Sequence, residues 1–128
     1  MAFKQYDNYE QQINALDKRF GEQNTFARLK REIESQSAFC VTTNDFCFVL
    51  RPVLDEHRQR GVFIALGIHN NPDCSVSDFS KIESMAKDSG MTFMRFRSYR
   101  KGFQRMAIKH GFHVESTSNG AVYYRKEV

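Results

Sequence analysis

Tryptophan is absent from this chain of 128 residues, proline occurs twice and cysteine three times. Two prolines beside seven glycines exclude a collagen-like or proline-rich extended chain. The cysteines, Cys40, Cys47 and Cys74, are odd in number and show no CxxC pair or other zinc-ligand spacing. That pattern points away from a disulfide framework or a metal site and toward reduced, mostly buried thiols. No apolar run approaches the roughly 18 residues of a membrane span, and the Met1 end lacks the pattern of a signal peptide. A soluble, cytoplasmic protein without a membrane partner is the expectation.

One further absence is local. Between Ser89 and Val114 there is no acidic residue, while Arg95, Arg97, Arg100, Lys101, Arg105 and Lys109 all fall there. The rest of the chain holds 13 cations and 15 acids, so the whole excess behind the net charge of +4 belongs to this segment. Such a segment makes a local attractive field for an anion.

What is present argues for a globular chain. Apolar residues make up 41%, with 12 Phe and 5 Tyr as bulky core material. Tyr9, Ile13, Leu16 and Phe20 recur at helical spacing up to Gly21, and Phe26, Leu29 and Ile33 stripe a second helix from Gln23 to Ser35. "AFCVT" and "FCFVLRPV" read as strands around a turn at Asn44-Asp45, and "VFIALGI" (62–68) as a central strand buried on both faces. Phe79, Ile82 and Ala86 mark a helix capped by Ser75 or Ser77 and ended by Gly90. In "TFMRFRS", Met94 and Phe96 face one way and Arg95 and Arg97 the other. A helix over 100–110 buries Phe103, Met106 and Ala107, and Asn119-Gly120 turns a terminal hairpin. The short "FKQY" at 3–6 adds a candidate first strand. No linker, repeat or low-complexity tract divides the chain, so residues 1–128 are expected to form one α/β domain, a mixed, mostly antiparallel sheet flanked by about four helices.

This order, with a helix closing in "KHGF" before a terminal hairpin, resembles the GNAT (Gcn5-related N-acetyltransferase) superfamily over essentially the full chain. Gly111-Phe112 match the Gly-Phe that recurs after the family's last helix. The resemblance implies acetyl-CoA held between the central strand and residues 92–98. It also implies a glycine-rich loop after the central strand, whose backbone N–H groups bind pyrophosphate. Here that loop is "HNNPDCSVSD", and no glycine occurs between Gly67 and Gly90. The family's Tyr four residues before the Gly-Phe, which protonates the leaving thiolate, is replaced by Ala107, and Arg100 stands where an Asn commonly begins the same helix. Compact degenerate proteins of this kind occur among bacteriophage products.

The resulting expectation is a GNAT-fold, acetyltransferase-like protein, phage-encoded, with a degenerate acetyl-CoA site and no cofactor. It would act by binding an acidic protein surface or another anion, as a virion or host-interaction component in the host cytoplasm or virion. The alternative is an active N-acetyltransferase that uses acetyl-CoA through an atypical loop. A third reading, a basic nucleic-acid module, rests on Phe93, Phe96, Tyr99, Phe103 and Phe112 interleaved with cations. Arg95, Arg97, Arg100 and Lys101 are the candidate anion-binding residues. His69, Cys74 and Tyr99 are the catalytic candidates, the first two because they follow the central strand, where α/β proteins place ligands.

Overall fold

Helix α1 (Glu10–Phe20) and helix α2 (Thr25–Glu34) follow one another at the N-terminal side of the chain and share one apolar cluster. They bury Ile13 from one and Leu29 and Ile33 from the other, the stripe expected from the 3.6-residue period. Asp17 of α1 accepts a hydrogen bond from the Thr25 N–H at 3.0 Å, so a carboxylate of the first helix satisfies an otherwise orphan donor of the second. Tyr6 already lies in a helical turn, with its hydroxyl donating to the Phe26 carbonyl at 2.9 Å. The strand anticipated over 3–6 is therefore not present at Tyr6, whose ring stacks on Phe26 instead.

The remaining elements of the computed structural model are β1 (Phe39–Thr42), β2 (Phe46–Leu54), β3 (Arg60–His69), α3 (Ser75–Asp88), β4 (Phe93–Ser98), α4 (Phe103–Lys109), β5 (His113–Ser118) and β6 (Ala121–Glu127). The structure describes residues 6–42, 46–69, 75–99 and 103–128. The Asn44-Asp45 turn, Cys74, Arg100 and Lys101 lie outside them, as do the side chains of His69, residues 75–79 and Phe103.

The strand order is β1-β2-β3-β4-β6-β5, with β3 and β4 parallel and every other neighbouring pair antiparallel. The chain is thus α/β, with one mixed, mostly antiparallel sheet and, among the described residues, four helices. Asn119 and Gly120, at φ 51° and 83°, make the two-residue turn between β5 and β6, a conformation that this dipeptide tolerates at little cost. Among the described residues, no helix is long and apolar enough to cross a membrane.

Two core clusters occupy the two faces of the sheet. On one face, Ile82 and Ala86 of α3 and Ala107 of α4 pack over Val62, Ile64, Met94 and Phe96. On the other, α1 and α2 cover Cys47 and Val49 of β2 and Ile68 of β3. Arg51 of β2 fixes α2 by a two-pronged pair with Glu32, at 2.9 and 3.1 Å. Buried side chains of β3 therefore face opposite layers at its two ends. Burial along β3 is also less complete than its apolar run suggests: Val62, Ile64 and Ile68 are buried, Phe63, Ala65 and Leu66 half-buried, and Gly67 exposed.

Candidate functional site

The sheet parts between β3 and β4. Their parallel pairing runs from Gly61↔Phe93 to Ile64↔Phe96 and stops there, although β3 continues to His69 and β4 to Ser98. The cause lies on the far side of β3. Leu50 pairs with Ile64 but the next residue of β2, Val49, pairs with Leu66, so Ala65 is left over as a bulge. A bulged residue bends its strand, increases local twist and reverses which face each later side chain takes. Past Ala65, β3 stays with β2 through Cys47↔Ile68, while β4 stays with β6 through Ser98↔Val122. Past Ala65, the edge of β3 that faces β4 carries backbone donors and acceptors with no strand paired to them among the described residues.

The closed end is tightly made. Phe93 lies across Gly61 so closely that a Cβ there would overlap the ring, and Phe93 is fully buried. The Arg125 guanidinium covers the same ring at 4.0 Å and Arg95 approaches it at 5.2 Å. Arg125 is held in turn by Asp55 at 3.1 Å and Glu127 at 2.6 Å. Burial alone would raise the Asp55 carboxyl. Hydrogen bonds from the Gln59 N–H, the Arg125 guanidinium and the His57 N–H outweigh it and hold the group below the usual carboxylate range.

The open end is bounded by the last turn of α1. Phe20 stacks on Tyr99 with ring centroids 6.2 Å apart, Arg97 lies over Tyr99 at 5.4 Å, and the Arg97 guanidinium is 3.8 Å from Glu22. Of the residues singled out in the sequence, Arg97 and Tyr99 come together here, and His69 ends β3 at the same end of the sheet. Tyr99 is 37% exposed and so reaches solvent. Arg95 is placed differently. Its Nη2 donates to Glu115 at 3.0 Å, and its Nε, 2.8 Å from the same carboxylate, is too poorly aligned for a second hydrogen bond.

The acid-free segment is therefore not free of acids in space: Glu115 answers Arg95, and Glu22 answers Arg97. Sequence reasoning missed both partners because they come from β5 and from the connection between the first two helices. Arg105 and Lys109 are exposed on α4. Phe93, Phe96 and Phe112 are buried and not available for stacking on bases. Ala107, at the position where the family resemblance expects a tyrosine, is 2% exposed and packed in the core. Among the described residues, no group of His, Cys, Asp and Glu is arranged to hold a metal ion.

No protein-family model matches the sequence, and no curated protein matches it. Solved structures do. An acetyltransferase of the GNAT family from Listeria monocytogenes superposes with a TM-score of 0.67 at 12% identity, over 99% of this chain and 86% of that one. The fold is that of the GNAT acetyltransferases. A GNAT family acetyltransferase from Elizabethkingia anophelis, with acetyl-CoA bound, gives a TM-score of 0.60 at 15% identity over 77% of this chain and 83% of the other. The PaiA N-acetyltransferase of Thermoplasma acidophilum, in complex with coenzyme A, gives 0.56 at 15% identity, over 79% and 68%. At these identities the likeness concerns the fold alone.

Proposed function

We infer that the open end of β3 and β4 is an acyl-CoA cleft, and that transfer of an acyl group to an amine is the reaction class it serves. One observation carries this reading: the β3–β4 pairing ends at Ile64↔Phe96 beside the Ala65 bulge, leaving a backbone edge inside a gap. An extended, amide-bearing pantetheine arm is suited to add to such an edge as a strand would. Acyl-CoA would supply an activated acyl group as a thioester. The residues of β3 past Ala65 would orient the arm, and an N–H on that edge would donate to the carbonyl oxygen as charge develops there. Tyr99 stands at the mouth, fixed by Phe20 and Arg97.

The GNAT fold, and the acetyl-CoA and CoA named with two of the similar structures, support this reading. They weigh against the expectation that no cofactor binds. The opposing observation is Ala107, which cannot donate a proton and which favours a protein that keeps the fold and acts by binding alone. Thermal melting of the full chain separates the two. A ligand at ~100 times its Kd adds about 2.7 kcal/mol, a rise of several degrees for a domain of this size. Acetyl-CoA and CoA at millimolar concentration are expected to raise the melting temperature. An unchanged melt with both would remove the cleft reading and leave the binding-only one. A rise without acetyl transfer to any amine tested would keep the cleft but remove the transferase.

A further inference from the structure

Cys40 and Cys47 lie on adjacent strands at one edge of the sheet. The register pairs Cys40 with Val49 and Thr42 with Cys47, so the two cysteines are diagonal neighbours on the face covered by α1 and α2. Their sulfurs are 4.0 Å apart, both thiols free. Closing to the roughly 2.05 Å of a disulfide requires a shift of about 2 Å. Strand β1 can supply it, because it is only four residues long and, among the described strands, pairs with β2 alone. The two thiols also differ. Cys40 is half-buried and reachable, whereas Cys47 is fully buried behind it.

We propose that Cys40 and Cys47 form a dithiol site that is oxidised to a cross-strand disulfide between β1 and β2 by a low-molecular-weight disulfide such as glutathione disulfide. In the first step the Cys40 thiolate attacks one glutathione sulfur; the Cys40–glutathione bond forms and one glutathione leaves as thiolate. In the second, the Cys47 sulfur attacks the Cys40 sulfur, the second glutathione leaves, and the Cys47 proton goes to it. Two protein thiols are oxidised and one external disulfide is reduced to two thiols.

The division of roles follows from the environment. The hydrogen bond shared by the two thiols lowers the Cys40 pKa against the opposing effect of burial. That same hydrogen bond and its burial push Cys47 up. The attacking thiol is therefore the outer one and the resolving thiol the inner one. This inference is independent of the acyl-CoA cleft, which lies between β3 and β4.

The test uses the full chain carrying Cys74→Ser, equilibrated in glutathione buffers, quenched in acid, alkylated and weighed. Oxidising buffer is expected to remove two hydrogens, about 2 Da, and to block alkylation at Cys40 and Cys47 together. Adding Cys47→Ala should trap one glutathione on Cys40, while adding Cys40→Ala should leave Cys47 unmodified in the folded protein, with melting curves confirming that each variant folds. Full alkylation of both thiols after the most oxidising buffer would overturn the proposal. So would uptake of glutathione by the Cys40→Ala variant as readily as by Cys47→Ala.

Discussion

At its N-terminal end β3 has a strand on each side: β2 from Leu54↔Arg60 to Leu50↔Ile64, and β4 from Gly61↔Phe93 to Ile64↔Phe96. Past Ala65, among the described strands, it pairs with β2 alone. The closed end is held by side chains matched to one another: Phe93 over Gly61, Arg125 over Phe93, and Asp55 on Arg125. The open end is defined by a backbone irregularity. Substitutions should therefore act on stability at one end and leave it nearly untouched at the other.

The largest effect is expected from Ile64→Asp, at the last paired residue before the bulge. Ile64 is 7% exposed within the main cluster, and an unpaired buried charge costs several kcal/mol against a total of about 5–15. The variant should lose its cooperative melting transition; an unchanged melt would place the core elsewhere. Next comes Gly61→Ala. The added methyl meets the Phe93 ring, which Arg125 prevents from moving away, and overpacking of this kind costs roughly 1–3 kcal/mol. Denaturant melts should show it as a lower midpoint with an unchanged slope.

Asp55 gives the closed end a pH dependence. Its folded pKa is depressed below the unfolded value of about 3.9, so its contribution is fully present above that value and fades as pH falls through the folded pKa. Melting temperature followed downward from pH 5 should decline less steeply in Asp55→Asn than in the parent chain. Equal slopes would mean that Arg125 does not depend on this carboxylate. The smallest change belongs to the open end. In Gly67→Ala the new methyl would meet only the edge of Phe48 at 3.1 Å, and lower backbone entropy in the unfolded chain offsets that crowding. Its stability should shift by less than about 1 kcal/mol. A larger loss than for Gly61→Ala would reverse the comparison.

The same contrast explains how much could be read from the sequence. Alternation in "MRFRS" placed Met94 and Phe96 inward correctly, because one face of β4 meets helices and the other meets charge. Asn119-Gly120 announced its turn, and Ile82 and Ala86 announced the inner face of α3. The bulge left no mark. With apolar side chains on both sides of β3, slipping the alternation by one residue at Ala65 exchanges one apolar residue for another, so the run looks continuous. The ion pairs were hidden for a different reason: Glu22 and Glu115 reach Arg97 and Arg95 only through the tertiary fold. The Cys40–Cys47 diagonal likewise requires the register of β1 on β2, which spacing alone does not provide.

Residue-resolved amide hydrogen exchange along β3, with and without CoA, tests the central claim most directly. Without ligand, the β4-facing amides of Gly61–Ile64 should be protected and the β4-facing amides of residues 65–69 should exchange fast, since only the first group pairs with β4. With CoA, protection should extend past Ala65 while the closed end stays as it was. Uniform protection along β3 without ligand would contradict the open edge, and an unchanged fast end with CoA would contradict its use as the binding site.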